Sequence, residues 1–485
     1  MGGTAGQLPA AGGARPWDSR DLDVAAGSQV SPGSSDEACS QGSAHTPDLT
    51  PPIPLTSAVF DRLAAGGGGP RDIEPLRRAV VRERLIAWRE LADLVDEHWP
   101  ASAAAAALRA ATDSLARAWA AGGWARATLS YPTVGGWLST CLRATYRACS
   151  AGAALPPAET GAAGAVAVVA ALRAGHRAEL AVHPRAGRLW LPGLGVAAVA
   201  LEDWCRVEVT GPGEVVVRAP GRRWELPANG RDDPSDWRPV CPVRPLRPDP
   251  VLDDVDPYRG DGLPFAPRLD AAARAHWADL WARAGALLER LDPEQAGAIA
   301  AGITAVVPLR PGNRAGVRGA TMYGASRSDT VGAVAMVRPA GGQNLALTLA
   351  HEFQHMKLEA LSALVDLHDR SPEAGFRVPW RPDPRPIGAA LHGAYAFLAM
   401  AEFWRRRRDE LSGPAAARAG AESVRLRDAV LRALAGIAPS PRLTPLGRRF
   451  VAGMLTALER TSPDDRGRPG PVADLGVRDR APALF

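Results

Sequence analysis

Nine histidines occur in this 485-residue chain, and four of them, His351, His355, His368 and His392, fall within 42 residues. The first two close the pattern His351-Glu352-Phe353-Gln354-His355. Residues four apart on a helix stack on one face, so both imidazoles can reach one metal ion. Glu352 then stands to their side, where its carboxylate can exchange a proton with a metal-bound water or a substrate. The run 343–367 supplies the helix, with good helix formers and neither proline nor glycine inside it. Asn344, Thr348, Glu359 and Ser362 share the face of the histidines, and Lys357 points away from it.

Two imidazoles leave an ion half coordinated, and the third ligand separates the possible chemistries. A metzincin continues with Gly and His three and six places after the second His, where this chain has Leu358 and Leu361. A gluzincin takes a downstream Glu from a helix, but Glu373 sits between Pro372 and Gly375 in what reads as a turn. Glu359 lies two turns beyond His351, about 12 Å along the axis, and reads as an outer support. His392 is the preferred third ligand. It begins a helical segment over 392–404 that shares a face with Tyr395, Ala399 and Glu402, and a helix antiparallel to the first delivers its imidazole. Glu402 is the next candidate, and His368 reads as a solvated helix-end residue.

Between the two helices, 377–386 holds four prolines and three arginines. Prolines stiffen a loop and limit where guanidiniums can point, and an Arg fixed beside a metal can grip a carboxylate through two parallel hydrogen bonds. Arg385, flanked by Pro384 and Pro386, is the first choice for such a clamp and Arg381 the second; Arg377 and Arg327 follow. The arginine run 405–408 reads as a solvated helix terminus, without the interleaved aromatics of a nucleic-acid surface.

The elements around these residues read as an α+β chain, mainly helical. Residues 1–54 carry hardly a large aliphatic side chain and are expected to be a disordered tail. A helical region follows over 55–158, with apolar spacing at 76–95, 103–119 and 137–149 and glycine breaks at 66–69 and 122–123. A small antiparallel β-rich region is expected over 159–245, from short runs at 165–172, 189–191, 196–201, 205–209 and 214–218. Residues 246–267, dense in Pro, Asp and Arg, read as a linker. The helical metal-binding domain spans 268–460, and 461–485 reads as a second flexible tail.

The net charge of +5 is too thin to imply nucleic acid or an anionic membrane. No apolar run approaches the roughly 18 residues of a membrane span. Five cysteines without Cys-x-x-Cys spacing suggest reduced thiols, neither a zinc ribbon nor an iron–sulfur site, and a cytoplasmic location.

Four stretches together carry a resemblance: 326–336; Leu349 to Leu358 around the His-Glu-x-x-His core; Pro379-Trp380-Arg381-Pro382-Asp383-Pro384-Arg385-Pro386; and Leu391-His392-Gly393-Ala394-Tyr395-Ala396-Phe397. They resemble the bacterial HExxH-motif peptide-modification proteins, 2-oxoglutarate-dependent peptide β-hydroxylases encoded beside ribosomally made precursor peptides. The likeness is tightest over 331–404 and extends over most of the chain between the tails. It implies a non-haem Fe(II) dioxygenase that uses O2 and 2-oxoglutarate to hydroxylate a β-carbon in a precursor peptide. Any radical SAM maturase acting on the same peptide would be a separate protein, because this chain has no Cys-x-x-x-Cys-x-x-Cys. The motif spacing alone points instead to a zinc peptidase with Glu352 as general base.

Overall fold

The computed structural model describes residues 53–227, 237–243, 250–311, 324–369, 372–373 and 375–460. The expected tails lie outside the described residues, apart from residues 53 and 54, as does Cys39. The described residues are mainly helical, at 57% helix and 15% strand. No helix among the described residues is long and apolar enough to cross a membrane, and Cys141, Cys149, Cys205 and Cys241 are free thiols.

Seven helices come first: α1 (Ser57–Ala64), α2 (Pro70–His98), α3 (Ala103–Ala120), α4 (Trp124–Leu129), α5 (Pro132–Ala151), α6 (Pro157–Thr160) and α7 (Ala163–Arg173). Local chemistry sets their starts. Thr56 and Ser102 accept hydrogen bonds from Val59 N–H and Ala105 N–H, and prolines occupy the first turns of α2 and α5. The helix α7 corrects the expectation of a strand at 165–172. Its 11 residues are Ala, Gly, Val, Leu and a closing Arg, nearly all buried, and a helix covered on every side shows no 3.6-residue alternation.

Seven strands then build two antiparallel sheets. β1 (Ala178–Val182), β4 (Cys205–Gly211), β5 (Glu214–Ala219) and β6 (Arg222–Pro227) form one, while β2 (Arg188–Leu191), β3 (Gly195–Ala198) and β7 (Trp237–Pro239) form the other. Most of these match the expected β-rich region, and the turn at Gly213 has the positive φ that its glycine allows.

From residue 250 on, the stretch expected as a linker holds a strand and several buried residues. β8 (Cys241–Pro242), β9 (Val251–Leu252) and β11 (Gly324–Ala325) join a five-stranded sheet of order β11-β12-β10-β9-β8, in which β10 (Ala305–Leu309) runs parallel to β9 and to β12 (Ala333–Val337). This third sheet is mixed, beyond the antiparallel ones expected. Past β9, the carboxylates of Asp253 and Asp256 are buried, and they receive Tyr131 Oη at 2.6 Å and Thr133 Oγ1 at 2.6 Å from the start of α5. Trp190 Nε1 and the backbone N–H groups of Asp256 and Tyr258 complete the network, so donors far away in sequence hold this segment.

The remaining helices are α8 (Ala271–Leu291), α9 (Pro293–Gly302), α10 (Gly342–Ser362), α11 (Ile387–Glu410), α12 (Gly413–Ile437) and α13 (Pro445–Arg460). Asp270 and Asp292 cap α8 and α9. α10 is buried on almost all sides, among Trp277, Leu280 and Trp281 of α8, Phe397 and Leu398 of α11, and Leu63 and Leu76 of α1 and α2. The 29-residue α2 gives Ile73, Leu76 and Val80 to this core and Trp88, Leu91 and Val95 to a second core with α3, α5, α7 and the antiparallel sheets. The first two helices thus support the C-terminal helices directly.

Candidate metal centre

α10 carries His351 and His355 one turn apart, and their Nε2 atoms are 3.2 Å from each other. Two nitrogens bound to one ion at about 2.1 Å, with an angle between 90° and 109°, stand about 3.0–3.4 Å apart. The pair therefore has the separation of a chelate. His351 Nδ1 lies 3.2 Å from Met400 Sδ on α11. A thioether sulfur only accepts, so this contact is a hydrogen bond in the tautomer whose Nδ1 carries the ring hydrogen, which is also the one that leaves the Nε2 lone pair toward His355.

His392 comes from α11, which begins at Ile387, so the residue sits in the second turn and not at the helix start expected for it. Its ring stacks over His355 with centroids 5.8 Å apart, and its Nε2 is 3.7 Å from Glu359 Oε2. The contacts of His351 with Met400 and of His355 with His392 show the two helices running antiparallel, as expected. Burial disfavours the charged ring at all three histidines, bringing His351 down to about 4 and His355 and His392 to about 3, with neighbouring imidazoles adding to the last two. Neutral imidazoles are the form that ligates metal.

These groups face a cavity of about 200 Å³. One wall is His351, Glu352, His355, Met356 and Glu359 from α10 with His392 from α11; the other is the continuous backbone run 324–328. Within that run, β11 is the outermost strand of its sheet among the described residues, where it pairs with β12. A Cβ at Gly324 would stand 2.7 Å from Glu352 Oε1, so a larger residue there would displace that carboxyl. Burial raises the Glu352 carboxyl to about 7, against the hydrogen bonds that Ser326 gives it from side chain and backbone.

The three histidines share one cavity but do not meet at one point. Among the described residues, no group of three or more His, Cys, Asp or Glu stands in metal-holding geometry. His351 and His355 fit a common ion as they stand, and closing a third bond requires His392 or Glu359 to swing inward.

The proline-rich loop keeps the two arginines expected as a clamp off the cavity wall. Neither Arg385 nor Arg381 lines the cavity. Arg385 Nη1 lies 3.2 Å from Asp383 Oδ2 and Arg381 Nε 3.6 Å from Asp383 Oδ1, while the Arg385 backbone pairs both ways with Phe376. The loop's Trp380 stacks on Phe397 at 4.5 Å, passing over Gly393, and Phe397 in turn meets His351 edge-on at 5.8 Å. Among the described residues the arginine in the cavity wall is Arg327, whose guanidinium is held by Asp329 through two 2.9 Å hydrogen bonds.

Glu373 is exposed and pairs with Arg442. The helix expected to reach residue 367 stops at Ser362, so His368 lies beyond the end of α10, and Glu402, the next candidate ligand, pairs with Arg405 and Arg406. Lys357 does point away from the histidines, into a buried site of its own. Met400 was not legible from spacing; the only signal was an apolar helix face opposite the motif. No family model matches the chain, and no curated protein matches it.

Proposed function

We propose that the chain is a metal-dependent enzyme of the Fe(II)/2-oxoglutarate type, hydroxylating a β-carbon of a ribosomal precursor peptide in the cytoplasm. The observation that carries the metal reading is the His351–His355 pair, two neutral imidazoles 3.2 Å apart on a cavity. The choice of iron and keto acid rests on the resemblance of 326–336, 349–358, 379–386 and 391–397 to peptide hydroxylases. When bound, iron would supply O2 activation and a seat for the keto-acid end of the cosubstrate.

The chain's own groups have separable tasks. His351 and His355 hold the ion, with His392 as third ligand. Arg327 takes over the role first given to Arg385: it is the cation in the cavity wall, where a distal carboxylate needs a fixed partner to be desolvated. Asp329 fixes the guanidinium's orientation. The edge strand β11 offers an extended peptide a backbone to pair with, which supports a peptide as substrate. Ser326 aims the Glu352 carboxyl, whose raised pKa lets it hold or release a proton near neutrality.

That last feature also favours a second reading, a zinc peptidase with Glu352 as general base. Anaerobic reconstitution with Fe(II) followed by 2-oxoglutarate separates the two. The hydroxylase gives a weak visible charge-transfer band and adds one oxygen to the peptide. No band, together with peptide cleavage by the zinc form, establishes the peptidase. Within the first reading, Arg327→Lys raises the 2-oxoglutarate requirement and Arg385→Lys leaves it near wild type.

A further inference from the structure

We infer that Met400 is a positioning residue for His351: its sulfur accepts a hydrogen bond from Nδ1–H, and this turns the Nε2 lone pair into the cavity. The inference rests on the metal reading above and adds a residue that the motif does not contain. Met400 lies on α11, is 5% exposed, and brings Sδ to 3.2 Å from His351 Nδ1.

An imidazole has two nitrogens, and neutral rings exchange the hydrogen between them unless one is held. Metal-bound histidines usually have the second nitrogen held by a carboxylate, a carbonyl or a water. A thioether does so more weakly, but it accepts and cannot donate, so it selects one tautomer all the same. The ring is also fixed by packing: Phe397 meets it edge-on at 5.8 Å, and Trp380 backs Phe397. With rotation and tautomer both set, Nε2 stands 3.2 Å from His355 Nε2, the chelate separation. The weak acceptor leaves His351 less basic than a carboxylate partner would, so a bound ion keeps more of its positive charge.

Two substitutions separate this role from packing. Met400→Leu conserves volume and removes the acceptor; Met400→Gln keeps an acceptor but puts a polar amide in an apolar site. Packing alone makes Leu harmless and Gln harmful. Positioning reverses that order for the metal. The measurement is Co(II) affinity of the full-length protein by competition with a chelator, alongside thermal unfolding without metal.

The expected result is a loss of about tenfold in Co(II) affinity for Met400→Leu, at the lower end for an outer partner of a ligand histidine. Met400→Gln stays near wild type, although its metal-free form melts lower than that of Met400→Leu. In a His351→Ala background, Met400→Leu adds no further loss. Wild-type affinity in Met400→Leu, an equal loss in Met400→Gln, or an undiminished loss in the His351→Ala background each overturns the inference alone. Failure of the wild-type protein to bind Co(II) overturns the metal reading and this inference with it.

Discussion

Two buried polar clusters stand in this protein, and their difference separates structure from function. Around Asp253 and Asp256, Tyr131, Thr133 and Trp190 converge with two backbone N–H groups, so the carboxylate acceptors meet several donors. Around His351, His355 and His392, neighbouring imidazoles line one wall of a cavity of about 200 Å³. A saturated network fixes a fold, because each of its groups is already satisfied. An arrangement of neutral lone pairs around a void has room for something more.

Removing one member from each cluster gives the largest effects, of opposite kinds. His351→Ala or His355→Ala lowers metal affinity by more than about a hundredfold, beyond the loss typical of outer partners, while the metal-free protein remains folded. Chelator competition and thermal unfolding measure the two quantities. Asp256→Ala does the reverse. It orphans the Thr133 hydroxyl, the Trp190 indole N–H and the Tyr258 N–H, destabilising the protein by about 3 kcal/mol or more in urea unfolding. Metal bound per folded molecule stays unchanged. Equal loss of metal and stability in either variant would erase the distinction.

The clusters also bend the pH dependence of stability in opposite directions. Burial lowers the pKa of His392 from 6.5 to about 3, so between these values the unfolded chain binds the proton and the folded one does not. Its contribution to metal-free stability is therefore lost as pH falls from about 6.5 toward 3. Burial and the charge of Asp253 raise the pKa of Asp256, so the folded state holds that proton when the unfolded chain has released it. Stability falls as pH rises through that window. Urea midpoints across pH, compared with His392→Asn and Asp256→Asn, give difference curves of opposite slope; parallel curves would refute the assignment.

The two clusters differed as much in how far the sequence disclosed them. Ligands spaced i, i+4 lie within a single turn, so the His351–His355 pair and its helix are legible locally, and His392 follows from a second helical pattern. Asp253 and Asp256 sit in a stretch rich in Pro, Asp and Arg that reads as solvated. What buries them is Tyr131, 122 residues away from Asp253, and no local pattern carries that information. The same holds for the arginines: prolines around Arg385 show that a loop is stiff, not where it points, and the cavity wall receives Arg327 instead. At 165–172 the ambiguity is one of period, since uniformly apolar residues suit a buried helix as well as a strand.

Lys357 tests an intermediate case, a buried polar group that is held but only in part. It is the one lysine among 57 basic residues, two places past His355, and 3% exposed. Its Nζ donates to the Gly66 and Gly67 carbonyls at 3.0 and 2.8 Å, between the rings of Phe353 and Tyr395 at 5.5 Å each. No carboxylate is among these contacts, and burial brings the amine from 10.5 down to about 7. Between those values the unfolded chain holds a proton that the folded chain lacks, so this residue makes stability rise with pH from about 7 to 10.5. Lys357→Met removes that slope. It loses two hydrogen bonds but also the desolvated amine, and Gly66 O still accepts from Gln354 Nε2 at 2.9 Å, so the net change near neutral pH is about 1 kcal/mol. Lys357→Arg is worse, at about 1–3 kcal/mol, because a planar guanidinium overfills a site closed by two rings. Unfolding of both variants at pH 7 and pH 9 checks the order, and an arginine tolerated better than methionine would show that the charge, not the shape, holds this residue.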